Sequence, residues 1–149
     1  MDWNDEFGRI LHELCLGQPL AVLATASAAA PYASLVAIAM TPDLRRLYFA
    51  TPRATRKAAN LAGNPQVAFL LDNRSNRLTD FTRAAAATVI GAAQELHDTA
   101  RAAALDFYLE RHPHLAEFTA SPGTALFMVT VTRISLVTRF QQVMDYDLS

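Results

Sequence analysis

Leu47-Tyr48-Phe49-Ala50-Thr51-Pro52-Arg53-Ala54-Thr55-Arg56-Lys57-Ala58-Ala59-Asn60-Leu61 reads as a strand, a short turn and the opening of a helix. Three cations, Arg53, Arg56 and Lys57, stand where that helix begins. A helix N-terminus carries roughly +0.5 of a charge and disfavours Lys and Arg. Its first backbone N–H groups also lack intrahelical partners. Cations, the hydroxyls of Thr51 and Thr55, and outward N–H groups together make a seat for a phosphate. A solvated basic turn accounts for the same residues, and the stretch alone leaves both readings open.

On the N-terminal side of this stretch, residues 3–16 predict an amphipathic helix, with Phe7, Ile10, Leu11, Leu14 and Cys15 on one face. Gly17 and Pro19 end it. Leu20 to Thr25 and Tyr32 to Ala39 read as strands joined by an alanine-rich turn, and Leu47 to Ala50 as a third. Three strands in succession favour an antiparallel meander over βαβ winding. On the C-terminal side, a helix over Thr55–Ala62 stops at Gly63-Asn64-Pro65. Gln66 to Leu71 is apolar almost throughout, which predicts a strand covered on both faces. Residues 85–96 form a further strand despite the helix propensity of Ala84–Ala87. Asp98 caps a helix to Arg111, with Leu105, Tyr108 and Leu109 inward. A helical turn with Leu115 and Phe118 follows Pro113. Strands are expected over 125–132, where apolar and polar residues alternate, and over 134–140. Six or seven strands with helices inserted at the edges predict a mainly β chain closed as a small antiparallel barrel.

The 149 residues suffice for one domain with a real core. A hydrophobic fraction of 52% beside a charged fraction of 18% suggests extra apolar surface, as at an oligomer interface. The net charge of −1 supports neither nucleic acid nor an acidic membrane as partner. No run of 18 apolar residues predicts a membrane span, and the acidic start is unlike a signal peptide, so a cytoplasmic location is expected. The single cysteine, Cys15, fits a reducing compartment and packs in the core in this reading. No metal-ligand spacing, catalytic triad or Gly-rich phosphate loop occurs. His112 and His114 flank Pro113 in what reads as a surface loop, and Trp3 as a staple or interface residue.

Phe49 to Leu61 followed by Asn64-Pro65-Gln66-Val67-Ala68 resembles the signature of the pyridoxamine 5'-phosphate oxidase-like family, the FMN-binding split β-barrel. The order of elements is similar over roughly residues 7–140. The resemblance implies a split antiparallel β-barrel, a homodimer with FMN at the subunit interface, and a small-molecule substrate. It implies that Arg56 and Lys57 contact the FMN phosphate with Thr51 and Thr55 nearby. It also implies that the second strand, through Ser34, Leu35, Val36 and Ala37, runs beside the isoalloxazine ring. Residues 72–76 either close over the cofactor from the partner subunit or form a plain polar loop.

The family's vitamin B6 oxidases open and close that second-strand segment with Arg and Lys, where this chain has small or apolar residues. They carry Arg-x-His near the C-terminus, where this chain has Arg139-Phe140-Gln141. Gln neither becomes a cation nor relays a proton as His does. The expectation is therefore a flavin-dependent oxidoreductase other than a pyridoxamine phosphate oxidase, with no catalytic side chain identifiable. A heme-binding or heme-degrading split barrel and a non-enzymatic flavin or deazaflavin carrier are the alternatives. Heme relatives use a His near the C-terminus, whereas the last His here is His114.

Overall fold

The structure is a computed structural model that describes residues 3–138 and 142–149. Its elements in chain order are α1 (Glu6–Gly17), β1 (Leu20–Ser27), β2 (Ala30–Met40), β3 (Arg46–Pro52), α2 (Arg56–Gly63) and β4 (Gln66–Asp72). There follow α3 (Asp80–Arg83), β5 (Ala86–Glu95), α4 (Asp98–Arg111), a 3-10 turn (Pro113–Leu115), α5 (Ala116–Ala120), β6 (Thr124–Thr138) and β7 (Gln142–Asp147).

All the strand pairings are antiparallel, in the order β3-β2-β1-β4-β5-β6-β7, and β3 also pairs with β6. That last pairing closes six strands into a barrel, with β7 added outside the ring. The sequence reading of a split antiparallel barrel is therefore the observed architecture. The meander holds only through β3. The chain then crosses by α2 and re-enters as β4 beside β1, not beside β3.

Inward residues of the strands fill the barrel: Leu23, Ile38, Phe49, Phe69, Val89, Val129, Ile134 and Leu136 are fully buried. The Phe49 ring stacks on Phe127 at 5.2 Å and meets Phe69 edge-on at 5.6 Å. Leu11, Leu14 and Cys15 of α1 join this cluster. A second apolar layer lies outside the barrel, where Tyr108 and Ala104 of α4 pack on Ala39, Ala50 and Leu126.

Some boundaries differ from the sequence reading. Asp5 caps α1, its carboxylate accepting from Gly8 N–H at 2.6 Å, so the helix starts at Glu6 and not at Trp3. His97, not Asp98, takes the cap position of α4. The strands expected over 125–132 and 134–140 are one strand, β6, and β7 was not foreseen. The outer face of β4 is half open, with Leu70 39% exposed, so the apolar run is not covered on both sides within one chain.

Candidate functional site

The barrel is split between β2 and β3. These strands pair only at Ile38–Phe49, Ala39–Tyr48 and Met40–Leu47. From Ala37 back to Ala30, β2 pairs with β1 on one edge and, among the described residues, with no strand on the other. This free edge contains the predicted residues Ser34, Leu35, Val36 and Ala37. Val36 is buried in the barrel, and Leu35 is 64% exposed on the outer face. Ser34 lies opposite Leu23, and its hydroxyl is buried with no hydrogen-bond partner. A buried polar atom left unbonded costs about 1–3 kcal/mol, so it marks a place where a partner is expected.

The turn from β3 into α2 faces the same split. Thr55 caps α2, its hydroxyl accepting from Ala58 N–H at 3.2 Å and donating to Pro52 O at 2.9 Å. The Thr51 hydroxyl lies 3.3 Å from that of Thr55. Arg56 and Lys57 occupy the first two helical positions. Neither meets a carboxylate among the described residues. The Arg56 guanidinium instead lies over the Tyr32 ring, 5.5 Å from its centre. Tyr32, Arg56, Asn60, Ser27, Ala30 and Pro31 line a cavity of about 280 Å³. Asn60 Nδ2 donates to Thr25 Oγ1 at 3.0 Å in a buried contact that pins α2 to β1.

Arg53, the third cation of the opening stretch, does not join this cluster. It donates to Glu95 at 2.7 Å and to Pro122 O at 2.6 Å, beside a separate cavity of about 440 Å³ that includes Ala58, Ala62, Ala93 and Phe127. The phosphate seat thus comprises two cations, not three.

On the outside of the barrel, α4 presses two polar side chains onto the backbone of β2. Tyr108 donates its hydroxyl to Ala37 O at 2.9 Å. His112 places Nε2 2.7 Å from Ile38 O, so that nitrogen carries the proton. His112 is buried, not a surface-loop residue, and burial holds its pKa below the ordinary value. Neither residue was assigned a site role from sequence. Tyr108 was expected only to face inward, which it does.

Cys15 is enclosed in the core, and burial pushes its thiol pKa up to about 12, which removes nucleophilic character near neutrality. Trp3 stacks near His12 and Tyr146. In the loop after β4, Asp72 holds Arg74, while Asp80 gathers the N–H groups of Ser75, Asn76 and Arg77. Among the described residues, no three His, Cys, Asp or Glu side chains converge as a metal site. No helix among them is long and apolar enough to cross a membrane. Arg139, Phe140 and Gln141 lie outside the described residues.

A closed six-stranded antiparallel barrel, opened along one edge and flanked by helices, defines the split-barrel class. The chain belongs to the pyridoxamine 5'-phosphate oxidase family, whose sequence model matches residues 10–138. Comparison with curated proteins returns no match. Among solved structures, a heme binding protein from Mycobacterium smegmatis superposes with a TM-score of 0.80 at 17% identity, over 91% of this chain and 55% of that one. The chain therefore spans about half the length of that protein. A FAD-binding protein from Mesorhizobium loti matches with a TM-score of 0.69 at 18% identity, covering 86% of this chain and 90% of that one. A protein related to general stress protein 26, from Clostridium acetobutylicum, matches with a TM-score of 0.75 at 15% identity, covering 99% and 97%. At these identities the likeness is one of fold.

Proposed function

We propose that the chain is an FMN-binding flavoprotein, working as a homodimer in the cytoplasm and acting as a flavin-dependent oxidoreductase on a small molecule. The observation that carries this reading is the split itself. It leaves a free backbone edge, an unbonded buried hydroxyl at Ser34, and two cations without carboxylate partners at the start of α2. These residues fit FMN. Arg56, Lys57 and the first N–H groups of α2 would hold the phosphate, with Thr51 close by. The β2 edge from Ser34 to Ala37 would offer N–H and C=O groups to the ring. Thr55 would act through the helix: its oxygen is already spent on the cap. FMN when bound supplies the redox chemistry, and the protein supplies binding, orientation and electrostatics.

The test is the double substitution Arg56→Ala with Lys57→Ala. Charge-assisted hydrogen bonds contribute about 1.5–3 kcal/mol each. Losing both weakens FMN binding by at least about two orders of magnitude. Neither side chain lies in the barrel core, so the circular dichroism spectrum stays that of the parent. Unchanged flavin occupancy in the purified double variant would remove the assignment.

The likeness to a heme binding protein makes heme the second reading. It has less support from the side chains. His112 spends Nε2 on Ile38 O, and His12 places its own Nε2 2.6 Å from Pro42 O. The absorbance spectrum of purified protein separates flavin from heme directly.

A further inference from the structure

Resting on the flavin reading, we infer that the Tyr108 hydroxyl is an inserted rung between β2 and β3, which holds the split open and positions the β2 edge for its ligand. The register of the two strands makes Ala37 and Ala50 the next pair after Ile38 and Phe49. In an antiparallel ladder such residues alternate between facing one neighbour and the other. Ile38 N–H goes to Pro19 O on the β1 side, so Ala37 faces β3. On the other strand, Ala50 lies opposite Leu126 of β6, and Leu126 gives its carbonyl to Leu96 N–H, away from β3. Ala50 therefore faces β2. The pair is aligned for the direct bond from Ala50 N–H to Ala37 O, and that bond is not made. Tyr108 O–H donates to Ala37 O at 2.9 Å instead, and the Ala50 backbone N–H donates toward the phenolic oxygen.

A phenol oxygen is both donor and acceptor, so it can replace one N–H···O=C bond with two and separate the strands by its own width. Tyr108 is fully buried against Ala39, Ala50 and Leu126, which fixes the ring in this position. Beyond this rung, toward its N-terminus, β2 has no partner on its β3 side among the described residues. The ligand edge, Ser34 to Ala37, begins at the carbonyl that Tyr108 holds. Tyr108 is thus a positioning residue that acts through the backbone of Ala37.

Tyr108→Phe keeps the ring and removes the oxygen. The expected result is faster amide hydrogen exchange at Ala50, by at least about tenfold beyond the change in global protection, because that N–H loses its acceptor. FMN affinity falls about tenfold, the effect of roughly one misplaced hydrogen bond. Leu109→Ala, on the same helix and packed in the same layer, serves as the destabilised control. It leaves Ala50 exchange relative to global protection, and FMN affinity, within about twofold of the parent. Unchanged Ala50 exchange in Tyr108→Phe, or equal acceleration in Leu109→Ala, would overturn the inserted rung. If the parent protein binds no FMN, the cofactor reading fails, while the exchange result still decides the role of the hydroxyl. If exchange accelerates and FMN affinity does not change, the link from rung to ligand edge is refuted.

Discussion

Pro19 has no N–H to return to Ile38, although it accepts one from Ile38 at 3.0 Å. The Ile38 carbonyl would be left unsatisfied, and His112 Nε2 fills that place at 2.7 Å. His112 makes this bond as a buried neutral donor, and burial together with the nearby Arg111 and His114 lowers its pKa, against the opposing effect of the Ile38 bond. The sign of the pH effect follows. Unfolded histidine titrates near about 6.5. Above that value both states are neutral and the contribution is fully present. As the pH falls below about 6.5, the unfolded chain takes up its proton first, and stability is lost until the folded pKa is reached. His112→Gln retains a donor but does not titrate. Its melting temperature should therefore fall less than the parent's between pH 7.5 and 5.5, while lying lower at pH 7.5 because the amide fits the site less well. Parallel melting curves across that range would show that His112 does not titrate on unfolding. Arg56 and Lys57 were legible in the sequence because their misplacement is a local property of one helix end. The partner of His112 was not, because it depends on which residue of a distant strand lies opposite a proline.

Within β6 the inward residues change parity. Phe127, Val129 and Val131 point into the barrel, and then Ile134, Leu136 and Thr138 do. The change is made by a bulge: Ile90 pairs with Arg133 and Gly91 with Val131, leaving Thr132 unpaired opposite β5. The Thr132 hydroxyl donates to Ile90 O at 3.2 Å and ties the extra residue down. A period of two that breaks and resumes reads from sequence as two strands with a turn between them, which is why one continuous strand was expected as a pair. Gly91 is the partner this bulge needs. A Cβ there would lie 2.3 Å from Thr130 O and 2.8 Å from Val129 Cγ1, and backbone in a closed barrel cannot step aside cheaply. Gly91→Ala is expected to cost about 1–3 kcal/mol or more, the range for overpacking a filled interior. Urea denaturation measures it, and a midpoint equal to the parent's would mean that the bulge relaxes freely. In the sequence, Gly91 signalled only that a helix was disfavoured; the close approach of β6 became visible once the register was known.

At the level of the whole molecule, the crossing from β3 to β4 through α2 leaves β1 between β2 and β4. One cross-strand row on the outer face then runs Leu35, Val22, Leu70. Leu35 and Leu70 are 64% and 39% exposed, and Leu20 further along the face is 48% exposed. The neighbouring outward residues Ala24, Ala33 and Ala68 are small and uncharged. The sequence signalled this surplus of apolar surface through composition, and located part of it in the apolar run of β4. It did not show that β1, β2 and β4 present it as one surface, because that adjacency arises from the crossing. A contiguous apolar sheet face is costly to leave in water, and a second copy of the chain is the occupant consistent with a shared cofactor site, since Leu35 lies in the same free edge of β2 as Ser34. Leu35→Glu with Leu70→Glu places two carboxylates on this face without touching the barrel interior. Light scattering at micromolar concentration should give a dimer for the parent and a monomer for the double variant, with the circular dichroism spectrum retained. FMN affinity should fall together with dimerisation if the partner completes the site. A double variant that stays dimeric would move the interface to another face, and a parent that is monomeric would confine any cofactor site to the residues of one chain.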